Sequence, residues 1–136
     1  YAQIKGFPEG TPYERFLCYD PVAQAMSGIM SVNGFRGQPP VRAGLTVADT
    51  GSGLHAAIGI LSALRQRDRT GQGQRVQLSM WEAMVSMLRM SYRYQASTGN
   101  AAPRKDNIDL GTSPAPGGLY RCKGDGPNDY VYLHAT

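Results

Sequence analysis

Asp49 lies in the run Val41-Arg42-Ala43-Gly44-Leu45-Thr46-Val47-Ala48-Asp49-Thr50-Gly51-Ser52-Gly53, where an extended apolar segment meets a long apolar helix. A carboxylate at a strand-to-helix junction sits at the positive end of a helix dipole, among backbone N–H groups that have no partner inside the helix. That setting suits a carboxylate nucleophile, because it favours the anionic side chain and offers donors to negative charge developing on a substrate oxygen. It equally suits a helix N-cap, for which Asp is a preferred residue. Position alone leaves both readings open.

Other chemistry-bearing side chains are few. In Leu17-Cys18-Tyr19-Asp20-Pro21, Tyr19 reads as a packed aromatic beside a helix start and Asp20 as the cap of that helix. His55 lies nearly two turns along the helix from Asp49 and has no evident partner in sequence, so it reads as a structural histidine. Thr70-Gly71-Gln72-Gly73-Gln74 has the look of a phosphate loop, but one glycine pair after a helix is more simply a chain reversal. Lys5 reads as an ordinary strand-end cation.

The elements that must position these residues alternate. Tyr1 to Phe7 begins as a strand, and Phe7-Pro8-Glu9-Gly10-Thr11-Pro12 is a loop broken by two prolines and a glycine. Val22, Ala25, Met26, Ile29 and Met30 follow Asp20-Pro21 at helical spacing, predicting a short helix that ends between Ser31 and Gly34. Gly37-Gln38-Pro39-Pro40 is a second loop, and Val41 to Val47 resumes as extended chain. From Thr50 to Arg67 the apolar positions Leu54, Ala57, Ile58, Leu61 and Leu64, with Ile60 and Ala63 on another side, describe a helix apolar almost all round, the pattern of a buried element. Gly51, Gly53 and Gly59 lower its helical propensity by about 1 kcal/mol each relative to Ala, so a close approach by a neighbour or ligand is expected to compensate. Gly71 takes the position after the helix. Arg75 to Met80 alternates like a half-buried strand, and Trp81, Met84, Val85, Leu88 and Tyr92 mark the face of a third helix, with the methionines as core.

From Gly99 to Gly118 the composition turns to Pro, Gly, Asn, Asp and Ser, a linker or loop; beyond it, Leu119 to Cys122 and Tyr130 to Ala135 flank a turn-rich stretch as a hairpin. Alternating strands and helices before the linker predict an α/β layer with a mainly parallel sheet. The chain opens in what reads as the tail of a strand already running and closes on a strand with nothing after it to pair or cover it, so the 136 residues read as a fragment of a longer chain. The formal charge is +4, but Arg65, Arg67 and Arg69 stand with Asp68 at a helix end, where cations complement the dipole; nucleic-acid binding is not expected. Cys18 and Cys122 form no C-x-x-C pair and suggest no disulfide framework, which fits a reducing, intracellular setting. Two histidines give no zinc-type cluster, and no apolar run is expected to span a membrane.

Three stretches stand together in order and spacing: Lys5-Gly6-Phe7 with Tyr19 to Gly28, Gly37-Gln38-Pro39-Pro40 through Asp49 to Leu61, and Arg67 to Gln74. Together they resemble the family III CoA-transferases, which include formyl-CoA transferase and carnitine CoA-transferase. The resemblance is strongest from Lys5 to Tyr94 and includes order and spacing. It implies that Asp49 is the nucleophile, attacking an acyl-CoA thioester to form an acyl-aspartyl anhydride and then an aspartyl-CoA thioester. It also implies that Tyr19 lines the CoA and substrate pocket, with Leu17, Cys18 and Asp20 around it. Two departures limit the analogy. Leu17 stands where formyl-CoA transferase has a lysine, and only Gly117-Gly118 remains of a glycine-run loop that closes over its site, so formate and oxalate specificity is not implied. Related α-methylacyl-CoA racemases have a histidine where Tyr19 stands; a tyrosine, with a pKa of about 10, is a poor proton shuttle at neutral pH, which favours the transferase.

The expectation is therefore part of a Rossmann-like large domain with a mainly parallel sheet over residues 1–98, a linker over 99–118 and the start of a small α+β domain over 119–136. The whole protein is expected as an interlocked, cytoplasmic homodimer that takes a coenzyme A thioester as substrate, with an acyl-CoA donor and a carboxylic acid acceptor, no tightly bound cofactor, no metal, and neither nucleic acid nor membrane as partner. A racemase-like enzyme and a non-catalytic CoA-binding or assembly subunit are the competing readings.

Overall fold

The computed structural model describes residues 1–104, 106 and 117–134. Strand β1 (Ala2–Lys5) is followed by helices α1 (Asp20–Ser27), α2 (Ile29–Val32) and α3 (Val47–Thr70), then strand β2 (Val76–Ser79), helices α4 (Met80–Met87) and α5 (Arg89–Thr98), and strands β3 (Gly117–Arg121) and β4 (Tyr130–His134). β1 and β2 pair in parallel, Ala2 opposite Val76 and Lys5 opposite Ser79. Parallel neighbours need a long crossover, and here α1 to α3 supply it. β3 and β4 form the expected antiparallel hairpin, Gly117 opposite His134, so that Gly117 and Gly118 of the stretch expected as a linker belong to β3; Ala135 lies outside the described residues, as does most of 99–118.

Local signals set most element ends. Gly28 (φ 90°) closes α1, its N–H donating to the Ala25 carbonyl at 3.2 Å, and splits the expected first helix in two. Gly71 (φ 71°) closes α3 with its N–H 2.7 Å from the Arg67 carbonyl, as a glycine after a helix does. Ser79 starts α4 through a capping box with Glu82. The third helix is interrupted at Leu88, so Trp81 and Met84 belong to α4 and Tyr92 to α5. Of its methionines, Met80 and Met84 enter the core while Met87 is half exposed. Lys5 is more than a strand-end cation: its Nζ bonds Glu14 at 3.0 Å and tethers the loop after β1. The N–H of Gly10 and then Lys5 hold the Glu14 carboxyl below its usual range.

The core is built from Ala23, Ala48, Met80, Ala83 and Met84, edged by Cys18, Ile29, Val47 and Leu78. It joins α1, the start of α3 and α4, and small side chains let the three helices approach closely. Two sequence expectations fail around it. Val41 to Val47 forms no strand: bends at Gly44 and Leu45 lead into α3. Helix α3 is not buried, for Leu54 (62%), Ile58 (66%) and Leu61 (67%) are exposed. The described elements pack against α3 chiefly through α4, β2, α1 and β1. By length and composition this 24-residue helix could also cross a membrane, contrary to the sequence expectation. A helix of a packed core passes the same test.

The three α3 glycines separate accordingly. A Cβ on Gly59 would lie 2.8 Å from Val76 Cγ1, and one on Gly51 would meet the flexible ends of Met84 and Met87, whereas Gly53 faces open space. Packed neighbours therefore account for two of the three. Gly53→Ala is expected to raise stability by up to about 1 kcal/mol through helix propensity. Gly59→Ala gains the same propensity but overpacks a β-branched strand residue, which costs about 1–3 kcal/mol. Urea midpoints of the two variants should move in opposite directions.

Candidate functional site

The segment Leu17 to Asp20 enters α1 from an extended residue. Tyr19 (φ −106°, ψ 167°) holds the N-cap position, and its carbonyl accepts from the N–H groups of Val22 (2.9 Å) and Ala23 (3.0 Å). Asp20 is thus the first residue of α1, followed by Pro21, and not its cap. Its side chain turns to another helix. Oδ1 accepts from the N–H of Ala48 at 2.7 Å and of Asp49 at 3.4 Å, while Oδ2 accepts from Gln24 Nε2 at 2.6 Å. Asp20 is 4% exposed and Gln24 fully buried.

Asp49 is likewise not an N-cap. It is the third residue of α3; Thr46 holds the N-cap position and makes no side-chain capping bond. The capping function falls to Asp20, which reaches the orphan amides of α3 from across the core. A carboxylate can satisfy such donors from any direction the tertiary fold allows. Two consequences follow. The amides of Ala48 and Asp49, which the sequence reading offered to a developing oxyanion, are already engaged. The Asp49 carboxylate, relieved of a capping role, is exposed in the first turn, where the helix dipole favours negative charge.

Gln24 is the residue that sequence reasoning missed. Its Nε2 donates to Asp20 Oδ2 and, at 3.2 Å, to the Leu45 carbonyl; its Oε1 accepts from the Ala43 N–H at 2.9 Å. The loop entering α3 has no strand ladder, and side-chain amides supply hydrogen bonds in its place: Gln24 at Ala43 and Leu45, and Asn33 Nδ2, which donates to the Val41 carbonyl at 2.9 Å. The only signal in sequence is a polar residue amid the apolar positions of α1.

Cys18 completes the cluster. Burial pushes its thiol pKa up, and the charges of Asp49 and then Asp20 push it further, so the thiol lies within electrostatic reach of both carboxylates. Its Cβ lies against Gly6, where an added methyl would come within 2.2 Å. At pH 8 a raised pKa means less thiolate and slower alkylation. Asp49→Asn removes one of the charges, so Cys18 should react faster with iodoacetamide, measured by peptide mass against exposed Cys122 as the internal reference.

Leu17 and Tyr19 do not pack into the core: they are 85% and 74% exposed, contrary to the reading of Tyr19 as a packed aromatic. His55 does have partners. Nδ1 lies 2.7 Å from the Gly51 carbonyl, to which it must donate, and Nε2 lies 3.1 Å from Ser86 Oγ, linking α3 to α4. That is the environment of a structural histidine. The Thr70–Gln74 turn is a chain reversal: Thr70 Oγ1 accepts from the Gln72 N–H at 3.2 Å. Among the described residues no three His, Cys, Asp or Glu side chains gather to hold a metal ion.

Comparison with known proteins places this geometry in context. The sequence profile of CoA-transferase family III matches residues 1–136. A formyl-CoA:oxalate CoA-transferase of Streptomyces avermitilis is 42% identical over 146 residues, covering 98% of this chain and 35% of that protein. One of Escherichia coli is 36% identical over 152 residues, covering 98% and 36%. This chain therefore spans about a third of the length of these curated relatives. The crystal structure of a CAIB/BAIF family protein from Brucella suis superposes with a TM-score of 0.80 at 30% identity, over 96% of this chain and 33% of the other. A hypothetical protein of Mycobacterium tuberculosis shares the fold, with a TM-score of 0.65 at 22% identity over 74% of this chain and 29% of its own. With the profile matched from first residue to last, the chain belongs to CoA-transferase family III.

Proposed function

We propose that this chain supplies the nucleophile of an acyl-CoA:carboxylate CoA-transferase, and that the nucleophile is Asp49. The observation that carries the reading is an exposed carboxylate in the first turn of α3, freed from capping by a buried Asp20, in a chain of this family. Asp49 attacks the thioester carbonyl of the donor, expelling CoA thiolate and forming an acyl-aspartyl anhydride. The thiolate attacks the aspartyl carbonyl of the anhydride, releasing the donor carboxylate and leaving an aspartyl-CoA thioester. The acceptor carboxylate attacks that thioester, forming a second anhydride and thiolate. The thiolate then takes the acceptor's acyl group, and the Asp49 carboxylate is restored. Covalent steps of this kind divide one hard transfer into easier ones.

Tyr19 and Leu17, both exposed beside Asp20, are offered as walls of the CoA and substrate pocket, with Cys18 and Asp20 behind them. Tyr19 also speaks against a racemase, which needs a second base near neutral pKa. His55, the nearer of the two histidines in sequence, is committed to Gly51 and Ser86. A Rossmann-like large domain over 1–98, a linker over 99–118, a small domain from 119, a cytoplasmic setting and an interlocked homodimer belong to the same proposal. The apolar side chains that α3 leaves exposed would give such an assembly a surface to bury.

Incubating full-length enzyme with an acyl-CoA and quenching with hydroxylamine should convert Asp49 to its hydroxamate, detected by peptide mass. An unmodified Asp49 peptide under conditions where the donor binds would remove the covalent mechanism. A non-catalytic CoA-binding subunit would keep its function in Asp49→Ala.

A further inference from the structure

We infer that Gln24 is a positioning residue for Asp49, acting through Asp20 and through the loop that enters α3; the inference rests on Asp49 being the nucleophile. Gln24 sits in α1, fully buried. All the bonds of its carboxamide go to the support of α3. Both Nε2 hydrogens are used, one on Asp20 Oδ2 at 2.6 Å and one on the Leu45 carbonyl at 3.2 Å, and Oε1 receives the Ala43 N–H at 2.9 Å. Asp20 is thereby oriented with Oδ2 toward Gln24 and Oδ1 toward the amides of Ala48 and Asp49. The bonds close a ring from the loop at Ala43 and Leu45, through Gln24 and Asp20, back to the first turn of α3. Because that loop makes no strand ladder, the ring fixes where α3 begins and hence where the Asp49 carboxylate is held.

A side chain that both donates and accepts is required. A carboxylate at this place would repel Asp20 and could not donate to Leu45, and an apolar side chain would free the loop and leave Asp20 Oδ2 buried without a donor. Nucleophile placement is sensitive, since displacement by about 1 Å costs about 10²-fold in rate.

The test uses full-length enzyme and two variants. Gln24→Met keeps the shape and removes the bonds; it is expected to lower kcat by about 10- to 100-fold with the donor KM little changed, because Gln24 touches no substrate. The hydroxylamine-trapped Asp49 adduct should form correspondingly more slowly. Gln24→Glu adds a readout that a merely structural role would not move. When protonated it can donate to Asp20, so activity should be partly retained at acid pH and fall as pH rises to a degree the wild-type profile does not show. Wild-type kcat and adduct formation in Gln24→Met, or a Gln24→Glu profile parallel to wild type, would overturn the inference. Should Gln24→Met fail to fold, the Gln24→Glu profile decides. Absence of any Asp49 adduct in the wild-type enzyme would instead overturn the nucleophile reading, and this inference with it.

Discussion

Asp49→Ala should abolish CoA transfer, by about 10³-fold or more, while leaving the fold nearly as stable as before. A 10³-fold loss corresponds to about 4 kcal/mol of transition-state free energy, and removal of a covalent nucleophile reaches or exceeds it. The stability side is small for a structural reason. Among the described residues no hydrogen bond or ion pair holds the Asp49 carboxylate; its N–H donates to Asp20 Oδ1 and its carbonyl accepts from Ser52 Oγ, and these backbone bonds survive the substitution. What is lost is the favourable placement of a negative charge in the first turn of α3, worth about 0.3–1 kcal/mol at an exposed site. Steady-state transfer assays and urea unfolding on one preparation separate the two quantities. Were Asp49 a cap, the pattern would invert, with stability falling and transfer largely retained by the folded fraction.

Asp20→Ala is expected to give that inverse signature. The substitution uncaps the buried amide of Ala48 and the half-buried amide of Asp49, and removes the acceptor for one Gln24 Nε2 hydrogen. Loss of a helix cap costs about 0.5–2 kcal/mol, and leaving buried donors unpaired about 1–3 kcal/mol. With some overlap between these, the variant should lose about 2–4 kcal/mol, read as a lower urea midpoint. Transfer should fall as well, because the first turn of α3 loses its anchor. Asp20→Asn sorts the two bonds. Its oxygen can still accept from Ala48, but its amide then meets Gln24 Nε2 donor to donor, so stability between wild type and Asp20→Ala is expected. A fully wild-type Asp20→Ala would mean that the α3 amides find other partners and that the site is not built on this carboxylate.

Several parts of this arrangement were legible in the sequence because they are local. Gly71 ends α3 where a glycine beyond the last helical residue should, and the alternation around Val76 to Ser79 forms the predicted half-buried strand. The helix start at Asp20-Pro21 was misplaced by a single position, and the family resemblance carried by the segments around Asp20 and Asp49 agrees with the profile match over the whole chain. Other readings failed where the deciding partner is remote. Asp20 and Asp49 each looked like the cap of the helix that follows it, since a capping preference is read from immediate neighbours. In the fold Asp20 caps α3 and Asp49 caps nothing. Gln24 gave only the weak signal of a polar residue among apolar positions, for a buried glutamine is recognisable only once its three partners are in place. The strand from Val41 to Val47 failed because β-like composition forms no ladder without a neighbouring strand.

Taken by itself, the sequence determined the family, the order of most elements and the position of Asp49 at the start of a long helix, all of which follow from residue types at fixed spacing. Tertiary structure alone decided that Asp49 is exposed and free of capping, that Asp20 and Gln24 hold the turn beneath it, and that the apolar faces of α3 meet open surface at Leu54, Ile58 and Leu61. The physical reason is common to all three. Hydrogen-bond satisfaction and burial are relations between segments far apart in the chain, and apolarity or polarity at one position does not specify which neighbour meets it.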